Sequence, residues 1–244
     1  MLKKSLIWTS VGLGLMVMVG CDSSREADTP TDTTISSGLV LTSDPATGVA
    51  YVGSDTCITC HQDFSWSSSA VDKFLAGKHV IHSDHITQAD AIGIEKCGIC
   101  HDPIGDGPRL EAFIDAEYVP ADGLAAVGCE NCHGAGGDHF GIGPMPNATP
   151  DFEACGECHN ADMFHNAYHP EGDNIVEDYR TSPHAASGDR PDAVCNRCHT
   201  DEGGRLYRAV NSVAGLETIV QPVENASPIQ CRTCHDPHAR HPRG

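Results

Sequence analysis

Twelve of the thirteen cysteines in this 244-residue chain fall in six copies of one pentapeptide, Cys-x-x-Cys-His. In chain order the motifs are Cys57, Cys60 and His61; Cys97, Cys100 and His101; Cys129, Cys132 and His133; Cys155, Cys158 and His159; Cys195, Cys198 and His199; and Cys231, Cys234 and His235. Two thiols three residues apart are spaced to add across the two vinyl groups of one porphyrin. A histidine directly after the second thiol falls beneath the metal as its proximal ligand. The predicted cofactor is therefore six haem c groups. The twelve cysteines are their covalent attachments, and the six motif histidines are the proximal iron ligands.

Three other uses of cysteine account for the pattern less well. Zinc sites also pair Cys-x-x-Cys units with histidine, but they do not require the histidine directly after the second cysteine. A thioredoxin-type redox pair would not repeat six times with that histidine attached. A disulfide framework would leave the histidines unexplained, and bridges within Cys-x-x-Cys are strained.

Each iron has a second axial position. Nine histidines lie outside the motifs, at positions 79, 82, 85, 139, 165, 169, 184, 238 and 241, whereas beyond the N-terminal segment the methionines are Met145 and Met163. Histidine is abundant enough to cap every iron. Bis-histidine ligation lacks the thioether that raises potential in His/Met cytochromes, so low potentials are expected. Met145, between two prolines, reads as a loop packing residue.

The elements that must position these ligands are short. The clearest helical pattern runs from about Ser65 to His79, with Trp66, Ala70, Phe74 and Leu75 as a partial apolar stripe. On that reading His79 and His82 sit about one turn apart. Short helices are expected around Arg109–Ala116 and Asn174–Arg180, residues 134–150 read as loop, and no sheet is expected beyond short hairpins. Intervals between motifs vary, so no solenoid follows. Aromatics make up only 5% of the chain. Porphyrins must then supply much of the buried apolar surface, and the apo chain should not fold.

Three segments are expected. Residues 1–20 carry Lys3 and Lys4 and then an apolar run, as in an export signal. Met18-Val19-Gly20-Cys21 resembles a bacterial lipobox, which would make Cys21 a lipidated N-terminus; an ordinary cleaved signal or an uncleaved anchor is the alternative. Residues 21–50, rich in Ser, Thr, Asp and Pro, read as a flexible linker. Residues 51–244 form one hexahaem domain. The formal net charge is −19, and more negative still without the two leader lysines. Such a surface repels nucleic acid and suits cationic partners.

Four phrases carry a family resemblance: Tyr51-Val52-Gly53 before the first motif with Trp66 after it; Cys129-Glu130-Asn131-Cys132-His133-Gly134 leading to His139; Ser182-Pro183-His184-Ala185; and Cys231-Arg232-Thr233-Cys234-His235-Asp236-Pro237-His238. From about Tyr51 to His241 the chain resembles the multihaem c-type cytochromes, which include tetrahaem cytochromes linked to ammonia oxidation and extracellular cytochromes of metal-reducing bacteria. The resemblance implies a mainly α fold with much irregular structure, a protein coat wrapped around a closely packed haem chain. It also implies that histidines placed like His139, His184 and His238 are distal ligands to haems bound elsewhere in the chain. The expected distal set is His79, His85, His139, His169, His184 and His238, with His82, His165 and His241 as competitors.

The expected function is electron transfer without acid–base catalysis, in anaerobic or extracellular respiration. The expected partners are other redox proteins, such as cytochromes and quinol-linked membrane complexes, and a membrane reached through the N-terminal lipid. The protein would face the periplasm or the cell exterior. Two alternatives stay open. A reductase of a small inorganic substrate would need one open haem, and a conducting homopolymer would lend histidines between subunits.

Overall fold

The computed structural model describes residues 41–81, 86–92, 97–160, 175–188, 193–210 and 226–239. Cys21 and the leader, most of the linker, and His82, His85, His165, His169 and His241 lie outside the described residues.

Short helices, turns and irregular segments make up the described chain. The helices are α1 (Ser54–His61), α2 (Ser68–Leu75), α3 (Gln88–Ile92), α4 (Gly98–His101), α5 (Gly107–Leu110), α6 (Cys129–His133), α7 (Phe152–Gly156), α8 (Ile175–Arg180), α9 (Ala193–His199), α10 (Asp201–Val210) and α11 (Cys231–Cys234). Two 3₁₀ turns, Glu111–Phe113 and Ala116–Tyr118, follow α5. No strand occurs among the described residues, only two isolated antiparallel bridges, Ser43 with Ala50 and Thr87 with Leu124. No helix among them is long and apolar enough to cross a membrane.

The expected helix at Ser65–His79 is shorter at both ends. The Ser67 hydroxyl donates to the His61 carbonyl at 2.6 Å, so the chain is still turning where the apolar stripe begins. Trp66 consequently lies before α2 and is 73% exposed, while Phe74 from the same stripe is buried. At the other end Gly77 stops the helix. A Cβ there would sit 2.9 Å from the carbonyl oxygen of His238 and crowd the Lys73 and Phe74 carbonyls. His79 is thus in a turn beyond the helix. The expected helices near Arg109–Ala116 and Asn174–Arg180 occur as α5 with its 3₁₀ turn and as α8. Residues 134–150 contain no helix.

The apolar core is small. Ile58, Phe74, Val80, Leu110, Leu124 and Ala126 form one cluster between α1, α2 and α5. Past Ala135, the buried apolar side chain among the described residues is Val176. In the C-terminal half, then, the described residues do not pack around an aliphatic interior of their own.

Candidate cofactor-binding sites

Each motif folds as one helical turn. In motif 1, at the end of α1, and in motif 3, which is α6, the pentapeptide is helical throughout. In motifs 2, 4 and 6 the histidine N–H donates to the carbonyl of the first cysteine: His101 to Cys97 at 2.9 Å, His159 to Cys155 at 2.9 Å and His235 to Cys231 at 2.8 Å. Motif 5 occupies the end of α9. Positions i, i+3 and i+4 of a helical turn share one face, so both thiols and the imidazole of a motif are offered to the same side.

Two of the described distal candidates, His139 and His238, meet histidines of the motifs. The rings of His61 and His139 lie 6.2 Å apart at 22°. Those of His133 and His238 lie 6.3 Å apart at 8°. A metal–imidazole bond is about 2 Å and the ring centre lies roughly 1.1 Å behind the bonded nitrogen, so two imidazoles facing each other across one iron have centres about 6 Å apart. Both pairs fit that separation.

Second-sphere contacts orient the same rings. The Nδ1 of His133 is 2.9 Å from the Asn147 carbonyl oxygen, that of His139 is 2.6 Å from Gly143, and that of His79 is 3.1 Å from Pro237. A carbonyl can only accept, so Nδ1 carries the proton and Nε2 keeps the lone pair that a metal requires. His238 places Nδ1 3.5 Å from a carboxylate oxygen of Asp236, which is itself paired to Lys73 at 3.1 Å. Burial pushes the pKa values of His61, His159 and His238 down, and neighbouring imidazoles push the same way: His139 and His133 act on His61, His79 on His159, and His133 on His238. Neutral imidazole is the ligating form. These side chains fit haem c bound through two thioethers and two histidines.

Trp66 and Phe64 stack 5.8 Å apart and both present themselves edge-on to His61, at 5.1 and 6.2 Å. His184 is exposed in the turn after α8 and is not among the histidines brought together.

Sequence reasoning missed the residues that tie the motifs to one another, because they occupy the variable positions of the motifs or flank them. Glu130, inside motif 3, is 2% exposed. It accepts N–H groups from Val52 at 3.0 Å, Gly53 at 2.7 Å and Gly136 at 2.7 Å. The first two lead into motif 1, and the third leads to His139. Gly53 adopts φ 91°, which its lack of a Cβ permits; a side chain there would strike Arg109. Asp106, also buried, accepts both the N–H and the hydroxyl of Ser54, and that hydroxyl accepts the Cys129 N–H at 2.8 Å. Asp102, directly after motif 2, accepts the Asp106 and Gly107 N–H groups at 2.7 and 3.1 Å. Motifs 1, 2 and 3 are thereby joined through buried carboxylates. Desolvation raises the pKa of Asp102 to about 6 and also raises that of Asp106.

Asp201 does the same for motifs 5 and 6. It stands two residues past His199, is 1% exposed, and accepts the Thr233 hydroxyl at 2.6 Å and two Arg232 nitrogens at 2.9 and 2.7 Å. Arg232 also reaches the carbonyl of Pro150, at 2.7 Å, just before motif 4. These variable positions serve as joints. A polar residue inside a Cys-x-x-Cys unit was the only signal in the sequence.

Polyheme cytochromes from one species are similar to this chain in sequence. The chain is 33% identical over 155 residues to the C-type polyheme cytochrome OmcB of Geobacter sulfurreducens, a match covering 59% of this chain and 20% of the relative. It is 28% identical over 160 residues to the C-type polyheme cytochrome OmcC of Geobacter sulfurreducens, with the same coverage of 59% and 20%. The chain spans about one fifth of the length of these relatives. No family model matches the chain, and no solved structure matches it.

Proposed function

We propose that this multihaem c-type cytochrome is an electron carrier that holds six haems, one on each Cys-x-x-Cys-His motif. The observation that carries the reading is the His133–His238 pair, 6.3 Å between ring centres and 8° from parallel. Two imidazoles from separate parts of the chain, set for one iron, would close both of its axial positions. Haem bound there would supply a one-electron ferric/ferrous couple at low potential. The protein's own work is to hold axial nitrogens in place, keep their Nδ1 protons on carbonyl or carboxylate oxygens, and exclude water from the distal face.

The ring contacts support the following assignments. His139 is the distal partner of His61, and His238 that of His133. His79 bears electrostatically on His159 and carries its proton on the Pro237 carbonyl, which supports assigning it to motif 4. The remaining distal ligands are drawn from His85, His169 and His184, with His82, His165 and His241 as competitors. Residues 1–20 are read as an export signal and Cys21 as a lipid attachment. The protein would then meet redox partners of low potential in the periplasm or at the cell exterior.

Electron paramagnetic resonance of the oxidised holoprotein, with a redox titration and exposure of the reduced form to carbon monoxide, tests this. Six low-spin ferric centres and no carbon monoxide binding are expected. A high-spin centre that binds carbon monoxide would identify an open haem and favour a reductase.

A further inference from the structure

The six motifs fall into two sets of three that repeat one another. Cys97 follows Cys57 by 40 positions, and Cys195 follows Cys155 by 40; Cys129 and Cys231 then follow by 32 and 36. In the first set α1 packs on α2 and α6, and in the second α7 packs on α8 and α11. Hydrogen bonds recur at matching positions. The N–H just before the third motif of a set bonds the side chain at that motif's second inner position, Gly128 to Asn131 at 2.7 Å and Gln230 to Thr233 at 2.8 Å. The residue three before the first motif of a set joins the start of the third. The Ser54 hydroxyl accepts the Cys129 N–H at 2.8 Å, and the Phe152 N–H donates to the Gln230 side chain at 3.0 Å. A carboxylate only 1% exposed follows the middle motif in both sets, Asp106 and Asp201.

The histidine segments match as well. His79 and His184 each stand four residues past the end of the second helix of their set. The His79 carbonyl accepts the Val127 N–H at 2.8 Å. The His184 carbonyl accepts the Ser187 hydroxyl at 2.6 Å, and that hydroxyl accepts the Ile229 N–H at 2.9 Å. Val127 and Ile229 both lie two residues before a third motif. Unrelated segments have no reason to share this framework position by position.

Little apolar surface joins the two sets. The hydrophobic clusters among the described residues lie wholly in the first. Across the seam α6 packs on α7. One segment of the second set, Asp236–His238, also makes a run of contacts to the first. Asp236 pairs with Lys73 at 3.1 Å, the Pro237 carbonyl oxygen is 3.1 Å from His79 Nδ1, and His238 lies over Gly77 and faces the His133 ring. Lys73 is half exposed, so its ion pair is weak. One iron taking an imidazole from each set is stronger, because metal binding at a site that the separated parts cannot form adds directly to their association.

We propose that residues 54–139 and 152–238 are two copies of one three-motif unit, and that the iron set between His133 and His238 staples the second copy onto the first. This rests on the reading of the motifs as haem sites. That iron then has two tasks, carrying electrons and holding the units in register. The iron set between His61 and His139 has both ligands inside the first unit and makes no such bond across the seam.

Hydrogen exchange of the full-length holoprotein, read by mass spectrometry, separates the two sites. His238→Ala and His139→Ala should each cost one low-spin iron. His238→Ala should speed exchange of the Ile81 and Val127 amides, beside the seam, by about tenfold or more, whereas His139→Ala should leave them within about twofold. Equal effects, or none from His238→Ala, overturn the staple. Free imidazole added to His238→Ala should restore the low-spin iron while exchange stays fast, since it brings no chain with it. Protection regained with imidazole overturns the staple. Anomalous diffraction from the unaltered holoprotein tests the doubling, and decides the staple too if a variant takes up fewer than six haems. The iron–iron distances among motifs 1, 2 and 3 are expected to match those among 4, 5 and 6 pair for pair, with His238 on the motif-3 iron. Unmatched triads, or a motif-3 iron capped from within the first unit, overturn the proposal. An unaltered protein carrying fewer than six haems would fail differently, by removing the carrier reading itself.

Discussion

The carboxylate of Glu130 accepts the backbone N–H of Gly136 at 2.7 Å, three residues before His139. One side chain within motif 3 thus sets the loop carrying the distal histidine assigned to motif 1. The same carboxylate holds Val52 and Gly53 on the way into α1. Glu130→Ala would leave three N–H groups without their acceptor, and each buried orphan costs about 1–3 kcal/mol, so a loss of about 3 kcal/mol or more is expected. Glu130→Gln keeps one acceptor oxygen and should lose roughly half as much. Chemical unfolding of the holoprotein, followed by its visible absorption, measures both. An alanine variant as stable as the parent would show that the carboxylate is not the clamp.

Asp201 gives a second, independent joint between motifs. Its partner Arg232 is 18% exposed and also reaches the residues before motif 4. Breaking a buried pair by neutralising one partner costs about 3–5 kcal/mol, because the other charge is left uncompensated. Asp201→Asn should therefore lower the melting temperature strongly. Thr233→Val removes one neutral donor and should cost about 1 kcal/mol. Similar melting temperatures for both variants would mean that the ion pair contributes little beyond the hydroxyl bond.

The six motifs were legible because the covalent attachment proposed for them acts at short range: both thiols and the imidazole must share one helical turn. His139 and His238 were legible as candidates but not as partners of His61 and His133, since pairing depends on which loops pack together. Nothing local marks that. Glu130, Arg232 and Thr233 were hidden because the motif leaves its inner positions free and the tertiary fold then uses them. The apolar stripe misplaced Trp66. Spacing put it on the helix, but the bond from Ser67 to the His61 carbonyl delays the helix by one turn. The small core followed from composition, with 5% aromatics and little aliphatic surface left to bury.

Gly77 supports His238 by making room for it. A methyl group there would lie 2.9 Å from the His238 carbonyl oxygen, and the helix carbonyls of Phe74 and Lys73 at 3.0 and 3.1 Å block retreat. Gly77→Ala should push the 236–238 segment outward, cost about 1–3 kcal/mol as an overpacked contact, and loosen one axial ligand. A high-spin ferric fraction equal to one haem in six is the expected signature. An unchanged low-spin spectrum would mean that the segment adapts without moving His238.

The pairing of His238 with His133 has a direct electrochemical consequence. Replacing an axial imidazole by a thioether raises the potential of the iron that it binds, because the thioether favours the ferrous state. His238→Met should move one sixth of the redox titration to higher potential, and His139→Met should move a different sixth. The two changes should add in the double variant, because each falls on its own iron. Met is long and flexible enough to reach from either position without rebuilding the loop. A titration curve that keeps its shape in both single variants would remove both histidines from the ligand set. A double variant that moves only one sixth would place them on the same iron, against the separate ring pairs at 6.2 and 6.3 Å.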